Sequence, residues 1–513
     1  MLSLAGVLCG LVLLLLACKS IATYRRFASI PGPFLAGFTD LWRWKAQNSR
    51  GYSARLVRLH QKYGQLVRIG PNHISISDPD AVPVVYATNP VWQKVDNERF
   101  LPLPRVRTNA KQAPTYHPAA PISGGRAVPS IIAMSEAQHT AVRRSVGSAF
   151  TTNSLLDYES AIDASGKDLL EVLGKHTSLD ITHYLQLWAV DVLMRLAFNE
   201  SLGFMQKGGD VDGILEAIIG RFDHWGRWSA MQTLEHHLFK GSFASIVKKQ
   251  ANSALARVGL EKIRARSLSP GQTTNRDLMQ KFLDGQAKHP DLVAHDEILG
   301  IIMSTIGAGA DTTAGTMTYT LHLLCRNTGA MQKLRDELHQ ALESGDMSYP
   351  PRWTQVNKLP YLEAVLKESM RLMPIAAWGL DRVVPRGGAT VCGRYFPAGT
   401  VVASQMDATM LDEAVYGRDS GSFRPERWVE ASEQQRRRMD RTFIAFSAGK
   451  RICMGLHIAW LELKKALPLL VMNFDMALVN PDQNLQEQIR ISAVKYAPPI
   501  WMRLYKREVA RQW

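Results

Sequence analysis

Phe446-Ser447-Ala448-Gly449-Lys450-Arg451-Ile452-Cys453-Met454-Gly455 puts one cysteine in a glycine-punctuated loop, with an arginine two residues upstream and an apolar helical run just after it. Glycine relieves crowding where a backbone turns tightly or approaches a ligand. Such a loop can hold a lone thiolate beneath a flat metal macrocycle. Backbone N–H groups around Cys453 can point at its sulfur and tune the metal's potential. Phe446 can shield that sulfur from water, and Arg451 can reach an anionic edge of the macrocycle. A cysteine taken by itself reads as a small buried hydrophobe. Here Phe446, Gly449, Arg451, Cys453 and Gly455 stand together at fixed spacing, and the ligand reading is the stronger one.

The rest of the chain bounds what that loop can serve. Its 513 residues allow roughly three domains by length alone. Hydrophobic residues make up 46%, with 12 Trp, 14 Tyr and 16 Phe, which suits a large core and excludes a disordered chain. The formal net charge is +15 and the pI about 9.6. The basic residues are scattered, with only short clusters such as Arg436-Arg437-Arg438. No aromatic-basic stripe or zinc-finger spacing points to nucleic acid; a membrane surface and an acidic redox partner fit better. Cys9, Cys18, Cys325, Cys392 and Cys453 lie far apart with no C-x-x-C, as in a reducing compartment.

Residues 2–17 are almost wholly apolar, and Lys19, Arg25 and Arg26 follow them. About sixteen to twenty such residues suffice for one membrane crossing. A cleaved signal peptide carries its basic residues before the apolar run, not after it. Positive charge on the cytosolic side then leaves the N-terminus lumenal and the body cytosolic. Leu15-Leu16-Ala17-Cys18 also looks like a lipoprotein cleavage box, but the leading charge that such a signal needs is missing. Pro31-Gly32-Pro33 reads as a stiff hinge. The expected division is an anchor over 1–22, a basic, proline-rich hinge over 23–36 and one large domain over 37–513. Asn199-Glu200-Ser201 fits the glycosylation pattern, and a cytosolic body leaves it bare.

Leu66-Val67-Arg68-Ile69 and His73-Ile74-Ser75-Ile76-Ser77, around Gly70-Pro71-Asn72, predict a β-hairpin. Residues 101–130 show no period and predict a long loop of the kind that is often functional. Helical patterns cover 135–271, with breaks, and then 276–373. Thr390-Val391-Cys392 and Gly399-Thr400-Val401-Val402 predict short strands. A last helix starts near Cys453 and passes Leu470. The fold class is mainly α with a minor β part.

Three further patterns carry chemistry. Ile306-Gly307-Ala308-Gly309-Ala310-Asp311-Thr312-Thr313 places small residues in an apolar helix, which weakens it and lets a flat ligand approach. The Thr312 hydroxyl can bond the Ala308 carbonyl and loosen the turn, so that water can enter and carry protons. The same stretch would also serve as a small-residue helix crossing. Glu368-Ser369-Met370-Arg371 sets opposite charges on one helix face, ordinarily a weak surface pair. His139-Thr140-Ala141-Val142-Arg143 spaces two basic groups one turn apart, as an ordinary basic face does.

The run around Cys453 matches F-x-x-G-x-R-x-C-x-G, and the chain resembles the cytochrome P450 family from its anchor to its final helix. Microsomal members share the arrangement, and Phe423-Arg424-Pro425-Glu426-Arg427-Trp428 with the 63–78 stretch looks most like fungal members of secondary metabolism. The resemblance implies the cytochrome P450 fold, a single large haem domain behind an N-terminal transmembrane helix. It makes Cys453 the axial ligand of haem b (iron protoporphyrin IX), with Phe446, Gly449, Arg451 and Gly455 around it. Asp311 and Thr312 match the oxygen-activation motif and would deliver protons. Glu368, Arg371 and Arg427 would form a buried charge network supporting the proximal loop. His139, Arg143, Arg382 and Arg451 become candidate contacts to the haem propionates. The family often has Pro before the third of these, where this chain has Asp381.

The implied activity is a haem-thiolate monooxygenase that inserts one atom of O2 into a lipophilic small molecule. Electrons would come from NADPH through NADPH-cytochrome P450 reductase, at the endoplasmic reticulum membrane, with no nucleic-acid partner. Pocket walls are expected near 101–132, near 302–308 and at Ile375-Ala376-Ala377-Trp378. Two alternatives are an isomerase or dehydratase on the same scaffold that does not use O2, which intact Asp311-Thr312 disfavours, and a non-catalytic membrane haem protein, which the small distal residues disfavour.

Overall fold

The computed structural model describes residues 4–89, 92, 122–123, 126–127, 131–240, 254–268, 276–294, 297–376 and 379–507. Its centre is a 30-residue helix, Glu297–Arg326, apolar on nearly every side and therefore buried on nearly every side. The helix Ile181–Phe198 makes the most extensive helix contact with it. That partner starts where the Asp180 side chain accepts from the Thr182 N–H at 3.0 Å, and it ends at Asn199 in the left-handed region. A second layer pairs the C-terminal helix Leu456–Asn473 with Leu155–Leu173. Their approach is close at Gly166, where a Cβ would sit 2.7 Å from a Leu469 methyl. These helices share one apolar core.

A smaller β part flanks this core. Strands Leu66–Gly70, His73–Ile76, Val401–Ser404 and Arg382–Val383 form one sheet in that order. The predicted hairpin is present, with Leu66 opposite Ile76, and the second of its strands pairs in parallel with Val401–Ser404. A three-stranded sheet joins Phe474–Leu478, Trp501–Lys506 and Ser178–Asp180. Arg490–Ile491 and Lys495–Tyr496 make a short hairpin that matters below.

The mainly helical class with a minor sheet part agrees with expectation. The predicted Thr390-Val391-Cys392 strand is Ala389–Val391, because Cys392 already turns the chain with φ 50°. Most of the expected 101–130 loop lies outside the described residues. Within it, Ile122–Ser123 pairs with Arg126–Ala127, so that segment is not wholly without regular structure.

At the N-terminus the first helix spans Leu4–Arg26, past the expected anchor boundary at 22. Its end is held by contacts to the β part. The buried Arg68 guanidinium donates to the Thr23 and Tyr24 carbonyls at 3.1 Å and to Gly37 at 3.0 Å. Tyr24 stacks on Phe38 at 4.5 Å. No helix among the described residues is long and apolar enough to cross a membrane. The side chains of most of residues 4–16 lie outside the described set, and the expected transmembrane helix is not shown.

Candidate active site

The cysteine loop is closed by its own backbone. Cys453 N–H donates to the Phe446 carbonyl at 2.9 Å, and Ser447 N–H to Ile444 at 2.8 Å. Ser447 and Gly449 take left-handed φ values of 65° and 68°. Gly449 also meets Tyr86: a Cβ there would lie 2.0 Å from the Tyr86 carbonyl oxygen, so only glycine fits. The Phe446 ring lies 6.1 Å from that of Trp460. Gly455 caps the start of Leu456–Asn473, and its N–H bonds the Cys453 sulfur. Burial pushes the Cys453 thiol up, while that N–H and the Arg143 charge pull it back. Yet the residue is exposed to a solvent-sized contact. The thiol is thus solvent-accessible although protein atoms surround it.

A helix clamps this loop. Glu136–Val146 begins with a capping box, Ser135 and Gln138. Arg451 pairs with Glu136 in its first turn at 2.9 Å and donates to the Ile131 and Met134 carbonyls at 3.3 and 2.6 Å. Much of the Arg451 guanidinium is thus committed to joining loop and helix. Arg143 reaches back from the same helix to the Lys450 carbonyl at 3.1 Å. His139, one turn earlier, is buried. Arg382 is buried too, stacked 4.7 Å over the Tyr86 ring and bonded to the Asp381 carbonyl at 3.0 Å. Tyr86 therefore touches both Gly449 and Arg382. No motif marked Tyr86 in the sequence; it is an isolated aromatic whose role is purely tertiary. Asp381 holds His73 Nε2 at 3.1 Å, and His73 Nδ1 accepts from Arg43. The departure from proline thus ties the Arg382 strand across Val401–Ser404 to the strand His73–Ile76, and through Arg43 to the helix Leu41–Gln47.

The second wall is the central helix. Thr312 Oγ1 donates to the Ala308 carbonyl at 2.7 Å, the bond expected from sequence. The helix stays continuous through it. Ala308, Gly309 and Thr312 are half-buried, while Gly307 and Asp311 are buried. Gly309 also serves packing, since a Cβ there would sit 2.9 Å from Leu193. Both oxygens of Asp311 are engaged: Gln186 Nε2 donates to Oδ1 at 2.8 Å and the Tyr496 hydroxyl donates to Oδ2. Burial pushes the Asp311 carboxyl up, and these two donors partly oppose it. Thr313 donates at 2.8 Å to Glu462 on the C-terminal helix, which ties the two walls together. Sequence reading missed Gln186, Tyr496 and Glu462, whose neighbours here are far away along the chain.

Glu368 and Arg371 are 0% exposed and pair at 2.8 Å. Arg427 Nε donates to Glu368 at 3.1 Å, Trp428 Nε1 at 2.9 Å and the Arg424 N–H at 3.1 Å. Arg371 also bonds the Met410 carbonyl at 2.9 Å, and Arg427 pairs with Asp419 at 2.8 Å. Two guanidinium groups thus face two carboxylates with their donors largely satisfied, the condition for tolerating buried charge. The Trp428 ring packs edge-on against Phe443 at 5.7 Å, which leads directly into the cysteine loop. Of the expected pocket walls, Ile302 is buried and Ile375 packs on Gly315. Residues 377–378 and most of 101–132 lie outside the described residues.

This donor set suits one kind of cofactor. Among the described residues no three His, Cys, Asp or Glu side chains gather as a cage for a bare ion. A single accessible thiol calls for a metal that brings its other ligands with it, and Arg143 and Arg382 beside the loop suit an anionic rim. Of the small residues on the central helix, Gly307 lies against Arg221 and Gly309 against Leu193, and Ala308 is half-buried.

Comparison with known proteins gives the same reading. Residues 109–501 match the family model for Cytochrome P450. The chain is 32% identical to a cytochrome P450 monooxygenase of Aspergillus terreus, over 89% of this chain and 91% of that one. It is 31% identical to the cytochrome P450 monooxygenase pkfB of Emericella nidulans, over 94% and 92%. A third relative, cytochrome P450 monooxygenase mpaDE of Penicillium roqueforti, is 31% identical over 90% of this chain but only 53% of its own length. With this coverage added to the thiol loop and its clamps, the chain belongs to the cytochrome P450 family, which implies a haem cofactor, and it is a monooxygenase by kinship.

Proposed function

We propose that this chain is a haem-thiolate monooxygenase that binds haem b and inserts one atom of O2 into a lipophilic small molecule, an intermediate of fungal secondary metabolism. When bound, the haem supplies reductive activation of dioxygen, favoured by its thiolate ligand. The residues do the rest. Cys453 would hold the iron, with Gly455 N–H on its sulfur to temper its basicity. Arg143, Arg382 and His139 would take the propionates, and Arg451 keeps the loop against its helix. Thr312 and Asp311 would hold and pass protons on the dioxygen side. The apolar residues Ile302, Ile306 and Ile375 exclude water and favour a lipophilic substrate. One observation carries the reading: an accessible thiol in a loop locked by Gly449, Tyr86, Arg143 and Arg451.

The redox partner is proposed to be NADPH-cytochrome P450 reductase, in keeping with the chain's positive charge. The site of action is proposed to be the endoplasmic reticulum membrane, with a single N-terminal crossing and a cytosolic catalytic domain. Ile21 in the first helix and Phe34, Leu35 and Leu41 soon after it are exposed apolar residues that suit contact with a bilayer. The test is turnover with purified reductase under isotopically heavy dioxygen. One heavy oxygen atom should enter the product, with NADPH consumed only when both proteins are present. Product formed without reductase, or without heavy oxygen, would instead support the isomerase or dehydratase reading.

A further inference from the structure

Asp311 lies between three elements. Gln186 faces it from Ile181–Phe198, and Tyr496 and Arg490 face it from the short hairpin. Asp223 approaches from Ile214–Trp228, where Arg221 also lies against Gly307, one turn before Asp311. On its own helix Thr312 follows it directly in sequence. The two donors that touch the carboxyl, a phenol and an amide, are both neutral. A cation in their place would hold the group firmly as a carboxylate. Neutral donors orient it without forbidding a proton.

Tyr496 is itself held from several sides. Its ring carries the Arg490 guanidinium 4.4 Å from its centroid, and Arg490 pairs with the half-exposed Asp223. Next to it, Lys495 N–H donates to the Ile375 carbonyl at 2.9 Å, and the Lys495 carbonyl accepts from Tyr319 at 3.2 Å. Val494 bridges to Ala376. The hairpin that presents Tyr496 therefore also rests on 375–376, the segment expected from sequence to line the substrate pocket.

We propose that Tyr496 is a positioning residue that holds Asp311 for proton delivery beside Thr312 and links that hold to the pocket wall. The proposal rests on the monooxygenase reading. In the step, the O–H bond of protonated Asp311 breaks as its proton forms a new O–H bond to a water on the Thr312 side. The electron pair stays on the carboxylate, Tyr496 keeps its own proton, and solvent supplies the replacement. Gln186 completes the hold at the other oxygen.

The test is Tyr496→Phe in the full-length holoprotein. The variant keeps the ring and its packing on Arg490 and loses only the hydroxyl. That hydroxyl favours the ionised carboxyl, so its loss should raise the Asp311 titration by about one pH unit, the worth of one hydrogen bond to a charged group. Two readouts follow it. The infrared carboxyl band, assigned by its absence in Asp311→Asn, should titrate at higher pH. The basic limb of coupled turnover, product formed per NADPH, should move up with it, while coupling on the low-pH plateau falls. Gln186→Leu should move the band in the same direction. An unmoved band with unchanged coupling in Tyr496→Phe overturns the proposal; should that variant fail to fold, an unmoved band in Gln186→Leu does so. Wild-type protein without a thiolate-type carbonyl spectrum would defeat the haem-thiolate reading, whereas an intact spectrum with an unmoved band defeats only the role of Tyr496.

Discussion

At the scale of single residues, Glu462 shows what burial does to a carboxyl. It is 2% exposed, one oxygen accepts from Thr313 and the other, Oε1, has no partner. Burial raises it from 4.5 to about 8. In the unfolded chain this group loses its proton near its ordinary value, while the folded protein keeps it until about 8. The folded form therefore holds the extra proton across that window, and stability is greatest below it and lost as pH rises through it. The slope is about 1.4 kcal/mol per pH unit. Glu462→Gln keeps a partner for Thr313 and removes the titration. Urea unfolding at the two ends of the window should show a markedly smaller loss of stability in the variant; parallel losses would contradict this account. The residue scale was also where sequence spoke most clearly. Cys453 was legible because five residue types hold fixed offsets, and the Thr312 bond to Ala308 because one helical turn dictates it. Tyr86, Gln186, Tyr496 and Glu462 were not, since each acts on a group brought near only by folding.

At the scale of elements, the site depends on clamps between segments. The helix Pro360–Leu372 places Glu368 and Arg371 one turn apart, and the segment around Arg427 and Trp428 closes over them. Removing one member leaves a buried charge without its partner, which costs about 3–5 kcal/mol. Arg371→Ala should therefore yield little folded, haem-loaded protein, and what folds should unfold at distinctly lower urea concentration. Wild-type yield and midpoint would show that the network contributes nothing to holding the loop. Helix and strand types followed from periodicity, and the hairpin from its turn residues. The network's members could be named from the resemblance to the cytochrome P450 family, but Trp428 as a donor to Glu368 and Phe443 as the link to the cysteine loop could not. Their contacts depend on how helices cross, which no local pattern encodes. Gly309 is instructive too: a small residue read as room for a flat ligand also makes room for Leu193.

At the scale of the whole molecule, one large apolar core holds the central helix and the helix after the cysteine loop, and Arg68 ties the N-terminal helix to the β part. Removing the apolar segment and removing the docked turn should therefore have different effects. A chain starting after residue 18 should leave the membrane fraction yet keep its fold. A chain starting after residue 26 should lose the Thr23 and Tyr24 partners of Arg68 as well and unfold more readily. Equal membrane association of the shortened and full-length chains in a fractionation experiment would contradict the anchor reading. The account as a whole depends on the bond between Cys453 and iron, and the carbonyl spectrum of the reduced protein tests it most directly. Wild type should show the red-shifted Soret band of a thiolate-ligated haem, and Cys453→Ser should lose it; persistence of that band in the variant, or a wild-type protein that takes up no haem, would contradict the assignment.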